Sequence, residues 1–393
     1  MTKDIDTAAV TSVGMPRRDF LRNSVLMALP VALVGAGVPL TAAAATYDPP
    51  RRQRGSTTRN VRNYGARGNG SHDDTAAIQS AINSLPAAGG TVYVPAGTYM
   101  IDALRSINLR NYMHLKLDPD AKLVAKPNGA SRYAVVSADR RKCIEISGGQ
   151  ILGERAHHKG TSGEGGHCIL IKGSLYVTIR DLRAANGWGD GISVGPRPRY
   201  RQHFVYSRDV AVANVVCTGN RRNGLSITNV IGMKVYDSEF SNTHGTSPQC
   251  GIDVEPNGDI DGKGYNDNVR IQNCVMRGNA AYGINAWRRS RNLTVTKCTI
   301  EDNKSCGMVT TGLHSGTFTG NMFRNNMKTG LFIKDGSNDI AINGNTSYNN
   351  YLKLGRTASR DDFSLSGVSG KVEKDLIVGR NTSNIRVGTN RYK

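Results

Sequence analysis

The sequence has few aromatic side chains and lacks the cysteine spacings of a metal site. Phe, Trp and Tyr make up 6% of the 393 residues, and only two tryptophans are present. The seven cysteines are an odd number, and they form no Cys-x-x-Cys or Cys/His spacing of the kind that binds zinc. We therefore expect buried, reduced thiols. With 38% hydrophobic and 21% charged residues, the composition also excludes a disordered chain.

The N-terminus carries a basic motif followed by an apolar stretch. Residues 16–22 read Pro-Arg-Arg-Asp-Phe-Leu-Arg, and residues 24–45 are largely apolar and end in small side chains. This arrangement resembles a twin-arginine (Tat) signal peptide, which implies export to the periplasm or beyond the cell. Two prolines and two glycines in the stretch argue against the alternative, an uncleaved membrane anchor. We predict a signal peptide at 1–45, a linker at 46–57 and no membrane contact after cleavage.

The net charge of +20 favours a polyanionic partner, and 45 glycines point to many tight turns. Nucleic acid, anionic lipid and acidic polysaccharide are all compatible with this charge. No nucleic-acid motif is present, and an exported chain rarely meets nucleic acid, so we expect none as a partner.

Internal repeats decide the predicted architecture. A short strand led by glycine recurs, and a second strand follows each copy. Residues at matching positions recur every 23 or 24 residues in the later copies, so Cys274, Cys298, Asn321 and Asn345 are expected to stack in one column. This period predicts an all-β, right-handed parallel β-helix. The glycine-led strands are Gly191-Ile-Ser-Val, Gly224-Leu-Ser-Ile, Gly251-Ile-Asp-Val, Gly283-Ile-Asn-Ala, Gly307-Met-Val-Thr and Gly330-Leu-Phe-Ile.

Upstream of the repeats, residues 61–75 lead into a predicted short helix over residues 76–85, and a Gly-Gly-Thr-Val-Tyr-Val-Pro segment follows at 89–95. This region resembles the N-terminal signature of the pectate-lyase-like β-helix superfamily, which includes pectate lyases, polygalacturonases, alginate epimerases and phage tailspikes. The resemblance implies a helix that caps the barrel and a polysaccharide partner, and it leaves a homotrimer open, as in the tailspike-like members. We predict one domain over 58–393, with a cap at 58–100 and coils at about 100–383.

Alternation along the glycine-led strands places one group of carboxylates on the outer face. Asp253 and Glu255 lie two residues apart, and Asp190 directly precedes the glycine of an earlier copy. Residues i and i+2 of a strand have Cα atoms about 6.5 Å apart. Inverting glycosidases separate their carboxyl groups by about 6.5–9.5 Å, and retaining enzymes by about 5–5.5 Å. We predict that Asp190, Asp253 and Glu255 supply a catalytic acid–base pair.

Loop lengths favour the same place, because unusually long connections occur at 196–208, 241–249 and 256–267. Nearby basic and aromatic side chains suit an anionic glycan, since arginine binds carboxylates bidentately and tryptophan stacks on sugars. The predicted substrate-binding residues are Arg221, Arg222, His244, Tyr282, Trp287, Arg288 and Lys334.

A partial D-x-D-x-D-G pattern at Asn257, Asp259 and Asp261 suggests a calcium site, although a glycine-rich turn explains it as well. No cofactor is required by the predicted chemistry.

We thus expect an exported enzyme that cleaves glycosidic bonds of an acidic polysaccharide, with hydrolysis slightly favoured. A lyase that abstracts the C5 proton of a uronate, or an epimerase in the same groove, is the alternative. A non-catalytic glycan-binding or structural β-helix is the second alternative.

Overall fold

The computed structural model describes residues 47–199, 202–258, 261–350, 372–373 and 375–392. The predicted signal peptide therefore lies outside the described residues. Within them the chain is almost entirely β-structure, arranged as stacked coils in two long, mainly parallel sheets. Strands pair from Thr58 to Tyr392, so the sheets reach further in both directions than the predicted coils.

An N-terminal cap precedes the coils. It contains a 3-10 helix, Val61–Tyr64, and a single α-helix among the described residues, α1 at Thr75–Asn83. Ile78, Ile82 and Leu85 share one face at helical spacing and are buried, and they close the apolar end of the barrel. Asp74 occupies the N-cap position, but its carboxylate accepts the N–H groups of residues 67 and 68 and so anchors the preceding loop.

The first sheet, which we call the narrow sheet, has eleven strands among the described residues. It contains the glycine-led strands, which are short because a glycine and a turn bracket each one. Its members are β5 (Ile107–Asn108), β8 (Arg132–Asp139), β11 (Gly165–Lys172), β13 (Ile192–Gly195), β17 (Leu225–Ile227), β20 (Ile252–Val254), β23 (Ile284–Ala286), β26 (Met308–Thr311), β29 (Leu331–Lys334), β32 (Val372–Glu373) and β33 (Leu376–Val378).

The second sheet, the wide sheet, has 22 described strands in two stacks that share two long strands. The first stack is β1 (Thr58–Asn60), β3 (Gly90–Val94), β6 (Met113–Leu117), β9 (Lys142–Ser147), β12 (Leu175–Ala185), β16 (Ser207–Thr218), β18 (Val230–Tyr236), β21 (Asn266–Gln272), β24 (Ser290–Thr296), β27 (His314–Thr319), β30 (Asn338–Asn343) and β34 (Ser383–Val387).

The second stack of the wide sheet also contains β12 and β16. Its other members are β2 (Asn69–Asp73), β4 (Gly97–Ile101), β7 (Ala121–Ala125), β10 (Gln150–Leu152), β19 (Glu239–Ser241), β22 (Val275–Arg277), β25 (Thr299–Glu301), β28 (Met322–Arg324), β31 (Thr346–Tyr348) and β35 (Arg391–Tyr392). A separate hairpin joins β14 (Arg197–Arg199) to β15 (Gln202–Val205). Most coils therefore have three strands, one more than the sequence pattern indicated.

The predicted strand register is confirmed. Leu225 pairs with Ile252, and Ile252 with Ile284, and the apolar side chains at these positions are fully buried. Burial of each apolar column depends on the coils above and below, because one coil alone would leave its inner face in water.

The predicted polar column is also confirmed. Asn321 donates from Nδ2 to Oδ1 of Asn345 at 3.0 Å, and its own Oδ1 accepts the N–H of Cys298. These bonds satisfy backbone and amide groups that the turns would otherwise bury unpaired. All seven cysteines are free and buried, in line with the expected structural thiols. In the described ranges no helix is long and apolar enough to cross a bilayer.

Candidate functional site

An open groove of about 640 Å³ lies over the narrow sheet, where β8, β11, β13, β17 and β20 follow one another. Both the strands and the loop over residues 153–164 contribute side chains. The described lining residues are Ser131, Arg132, Gly163, Glu164, Gly165, His167, Asp190, Ser193, Arg222, Ser226, Thr228, Asp253, Glu255 and Asn257.

Strand register brings the predicted carboxylates together. Ser193 pairs with Ser226, and Ser226 pairs with Asp253, so these outward positions stack in one column. Glu255 follows Asp253 by two residues, directly after the end of β20, and its side chain lines the same groove. The two carboxyl groups thus share the groove, as the alternation predicted.

Asp253 is a buried carboxyl group with amide partners. Its side chain is 2% exposed. Oδ1 accepts a hydrogen bond from Asn285 Nδ2 at 2.8 Å, and Oδ2 accepts one from Asn223 Nδ2 at 3.3 Å. Burial, reinforced by the charges of Glu255 and Asp190, raises the pKa of Asp253 to about 7, against the lowering effects of Asn285 and Arg222. Near neutral pH this group is therefore poised to release a proton.

Asp190 lies deeper in the wall of the groove and is 1% exposed. Its Oδ1 accepts the backbone N–H of Asn223 at 3.1 Å and is 3.3 Å from Arg222 Nη1. Its Oδ2 is buried without a hydrogen-bond partner among the described residues. Gly191, next in the chain, lets the neighbouring coil approach closely, since a Cβ at this position would lie 2.6 Å from Asn220 Nδ2.

Arg222 connects the acidic groups. Its Nη1 also donates to Ser226 Oγ at 3.1 Å, and its Nε lies 3.2 Å from Glu164 Oε2. Burial lowers the pKa of Arg222, but the carboxylates of Asp190, Asp253 and Glu164 outweigh it and raise that pKa. Because Glu164 is 62% exposed, its pair with Arg222 is weak and open to exchange with an incoming anion.

His167 packs beside Asp190. The backbone N–H of Asp190 donates to His167 Nδ1 at 3.1 Å. Burial lowers the pKa of His167, an effect that Asp190 opposes and Arg222 and Lys172 reinforce. The ring is therefore neutral at pH 7, and because Nδ1 accepts a hydrogen bond, its proton lies on Nε2.

Arg132 contributes an exposed cation at the edge of the groove. Its guanidinium makes no ion pair with any residue in the described part of the chain. Together with Arg222 it gives the groove two guanidinium groups with which to bind carboxylates of a substrate.

Two predicted binding residues support the wall and do not line the groove. Arg221 lies over the ring of Trp188 at 3.9 Å and donates to the carbonyl oxygen of Gly163 at 2.7 Å. Trp188 in turn stacks on His158 at 3.9 Å. His244 is exposed, with its Nδ1 3.5 Å from Arg155 Nη1. These contacts hold the loop over 153–164 in place beside the groove.

Four other predicted residues lie towards the C-terminal end of the narrow sheet. Trp287 is 38% exposed. It lies one coil beyond Glu255 at the matching position, and its N–H donates to the carbonyl oxygen of Val254. Arg288 lies 5.9 Å from the ring of Trp287. Lys334 is two coils further along, 5.7 Å from the ring of Phe332. Tyr282 is partly buried, and burial raises the pKa of its hydroxyl.

The predicted long loops contribute less than their lengths suggested. Among the described residues only Asn257, at the start of the loop over 256–267, lines the groove. The loop over 196–208 carries the β14–β15 hairpin, in which Arg197 pairs with Asp139 at 3.1 Å. The loop over 153–164 supplies the wall instead. The predicted site residues did not include Arg132, Glu164 or His167. The Glu164-Gly-Gly-His167 run at the start of β11 was the available signal.

The calcium prediction has little support in the described residues. Asp259 lies outside them. Asp261 is exposed, and its Oδ1 accepts the N–H of Lys263 at 2.8 Å, as in a simple turn. No group of three His, Cys, Asp or Glu side chains in the described ranges could hold a metal ion.

Comparison with known proteins identifies the family. Residues 58–332 match the family model described as rhamnogalacturonase A/epimerase, pectate lyase-like. The chain belongs to this family. Its predicted membership of the pectate-lyase-like superfamily is thereby confirmed, and the match covers the cap and every strand that forms the groove.

Individual members of the family are distant. The chain is 29% identical over 324 residues to the uncharacterised protein YclG of Bacillus subtilis, covering 73% of this chain and 54% of YclG. It is 24% identical over 298 residues to the mannuronan C5-epimerase AlgE5 of Azotobacter vinelandii, covering 74% of this chain and 22% of AlgE5. The chain thus spans about half the length of YclG and less of AlgE5.

Among solved structures, the A-module of the Azotobacter vinelandii mannuronan C5-epimerase AlgE6 superposes with a TM-score of 0.66. The superposition covers 85% of this chain and 99% of the module at 17% identity. At this identity the likeness establishes the shared β-helix fold and no more.

Proposed function

We propose that the protein is an enzyme that cleaves glycosidic bonds of an acidic polysaccharide, with Asp253 as general acid and Glu255 as general base. The observation that carries this proposal is a pair of carboxyl groups in one groove, Asp253 on β20 and Glu255 just past its end, one of which has a pKa of about 7. An inverting hydrolase uses two such carboxyl groups, one as general acid and one as general base.

The division of roles follows from the two environments. Asp253 is buried and keeps its proton near neutral pH, so it can protonate the glycosidic oxygen as the bond to C1 breaks. Glu255 is partly exposed in the groove, where it can take a proton from the water that attacks C1. Asn223 and Asn285 hold the Asp253 carboxyl group in position.

The substrate class follows from the cations of the groove and from the family. Arg132 and Arg222 offer two guanidinium groups beside the carboxyl pair, which suits a chain of uronate sugars. AlgE5 and AlgE6 are named for epimerisation of mannuronan, a polymer of uronate sugars. We therefore propose a polyuronate, bound with at least one carboxylate near Arg132.

A second candidate, proton transfer at C5 of the uronate, has its own support. The similarity to AlgE5 covers 74% of this chain. A protonated Asp253 could hydrogen-bond the uronate carboxylate and so make the C5 proton more acidic, with neutral His167 nearby. This chemistry gives epimerisation, or β-elimination if the glycosidic oxygen leaves.

One assay separates the candidates. The protein is incubated in D₂O with mannuronan, guluronan and polygalacturonate, following reducing ends, ultraviolet absorbance of unsaturated sugars and deuterium at C5. Hydrolysis gives reducing ends alone. Elimination gives reducing ends with absorbance, and epimerisation gives deuterium without new ends. If no substrate changes by any of the three measures, the enzyme proposal is wrong. The alternative of a non-catalytic glycan-binding or structural β-helix then replaces it.

Matched variants test the roles. Asp253→Asn and Glu255→Gln should each lower kcat by about 10²–10⁴-fold, the range expected for loss of general acid–base catalysis. Glu239→Gln is the control, since Glu239 pairs with Arg277 on the wide sheet and lies outside the groove. An Asp253→Asn protein with wild-type kcat would contradict the assignment.

A further inference from the structure

The described part of the predicted linker is packed against the wide sheet. We call residues 47–57 the N-terminal strap. At one end the ring of Tyr47 stacks on Tyr236 at a centroid distance of 4.1 Å. At the other end the carbonyl oxygen of Thr57 accepts the N–H of Thr91 at 2.8 Å. Arg52, between them, is 8% exposed and donates to Thr178 Oγ1 at 2.8 Å. The strap is therefore an integral part of the fold.

Beneath the strap lies a buried carboxylate surrounded by arginines. Glu145 on β9 is fully buried. Its oxygens lie 3.2 Å from Arg51 Nη1, 2.7 Å from Arg54 Nη1 and 2.8 Å from Arg180 Nε. Two of these three arginines come from the strap, so docking of the strap completes the cluster.

The strap and the wide sheet enclose a pocket of about 400 Å³, which we call the strap pocket. Its floor is formed by neighbouring positions of β1, β3, β6 and β12. Thr91 pairs with His114, and Tyr93 pairs with Lys116. Arg51, Arg54 and Arg180 complete the charged part of the lining.

The strap pocket has donors that the protein itself does not use. Arg51 and Arg54 each contact Glu145 through one nitrogen, Nη1. Lys116 is exposed, and no hydrogen bond or ion pair joins its ammonium group to another described residue. The nearby carboxylates are already engaged: Glu145 by the arginines, Asp181 by Arg180 and Asp118 by the hydroxyl of Tyr93.

The buried histidine on the floor of the strap pocket lies in a positive potential. His114 is 3% exposed, and its Nε2 lies 2.7 Å from Ser147 Oγ. Burial, together with the charges of Arg54, Lys116 and Arg51, lowers the pKa of His114 to about 3. The ring is therefore neutral at physiological pH, and the charge of the pocket comes from Arg51, Arg54, Lys116 and Arg180.

We propose that the strap pocket is a second binding site for the acidic polysaccharide, in which Arg51, Arg54 and Lys116 bind sugar carboxylates away from the groove. Unused guanidinium and ammonium donors over a ladder of Thr, Tyr and His side chains suit a polar anionic sugar. The proposal rests on the substrate class given above and not on the reaction. A second contact with the same polymer raises its effective concentration at the groove.

Binding stoichiometry tests the proposal. The full chain carrying Asp253→Asn, which prevents turnover, is titrated calorimetrically with mannuronate and galacturonate oligosaccharides. We expect two sites per chain. Lys116→Glu should weaken one of them by about tenfold, because it replaces a favourable charge by a repulsive one. Arg51→Gln, whose parent side chain is 54% exposed, should weaken the same site by about fivefold.

Lys122→Glu is the matched control, since Lys122 is an exposed lysine on β7, in the second stack of the wide sheet and outside the strap pocket. It should change neither site by more than about twofold. Hydrogen exchange should show protection of residues 51–58 and 113–117 on addition of oligosaccharide. Inorganic sulfate should compete for this site but bind more weakly than the oligosaccharide.

Either of two results would overturn the proposal: a single site per chain, or two sites that Lys116→Glu leaves unchanged. Sulfate binding as tightly as the oligosaccharide would also overturn it, since the pocket would then recognise a small anion only. Failure of the proposed reaction is distinguishable, because it gives no product from the wild-type chain while the Lys116-dependent site remains.

Discussion

Two buried carboxyl groups of this protein have opposite surroundings. Asp253 in the groove is held by the amides of Asn223 and Asn285, and the charges of Glu255 and Asp190 act against its ionisation. Glu145 on the wide sheet contacts three arginines. Both lie on regular strands and both are almost inaccessible to water.

The difference separates a carboxylate that ties two segments together from one that we propose to act as an acid. Three arginines compensate the charge of Glu145, and two of them join the strap to the sheet. Without such compensation, burial of Asp253 favours the protonated form and raises the pKa to about 7. Burial alone therefore does not set the pKa of a carboxyl group, because the neighbouring charges also contribute.

The largest expected effect is on stability at the compensated site. Glu145→Gln removes the anion that faces three arginines and leaves Arg180, 10% exposed, with less compensation. We expect a loss of about 3–5 kcal/mol in the free energy of unfolding, measured by urea denaturation at pH 7. Glu301→Gln, which removes a carboxylate that pairs with Arg324 alone, should cost about 1 kcal/mol or less. Equal losses in the two variants would contradict the idea that a carboxylate facing three arginines stabilises the fold more than one facing a single arginine.

A smaller effect is expected in the pH dependence of stability at the uncompensated site. The pKa of Asp253 rises from 3.8 in the unfolded chain to about 7 in the folded one, so the folded state holds the proton more tightly. Its contribution to stability is then complete below about pH 4 and is lost as the pH rises towards about 7.

Between about pH 5 and about pH 7 the loss should amount to roughly 2–3 kcal/mol, because each pH unit in this window contributes at most about 1.4 kcal/mol. It is measured as the change in unfolding free energy between acidic and neutral pH in the wild type, compared with the same change in Asp253→Asn. The Asp253→Asn variant should lack the part of this pH-dependent loss that comes from ionisation of Asp253. Parallel curves for the two proteins would show that Asp253 ionises normally and would contradict its role as an acid.

The smallest effect concerns His167, whose ring joins the groove to Asp190. His167→Gln removes the neutral imidazole but keeps an amide that can accept the Asp190 N–H. We expect kcat to fall by about tenfold with KM little changed, and the pH profile to shift. His157→Gln, an exposed histidine of the 153–164 loop, is the control and should behave as wild type. A change in thermal stability without a change in kcat would assign His167 a purely structural role.

The predictions made from sequence succeeded where periodicity carried the information. The columns through Ser226 and Asp253, and through Asn321 and Asn345, follow from spacings of one coil, and the structure has the same registers. The third strand of most coils went unrecognised because it is short, with three residues in β19, for instance. Such a segment has too few positions for an alternating pattern to be read.

The lateral surroundings of the groove were harder to predict. Asp190, Arg222, Asp253 and Glu255 meet there as expected, whereas Arg221 and His244 support the neighbouring loop. Loop length indicates that a loop protrudes, but its direction depends on packing such as the Trp188–His158 stack. No repeat period encodes that packing.

The sequence by itself determined the coil repeat, the inward and outward faces of each strand and the pair of carboxyl groups at the end of β20, because strand periodicity and coil stacking are local and repetitive. Only the tertiary structure decided the charge environment of each carboxyl group. Glu145 meets Arg51 and Arg54 across more than 90 residues of chain, and Asp253 meets Asn223 and Asn285 from the coils on either side. Electrostatic compensation depends on distances in space, which neither composition nor spacing specifies.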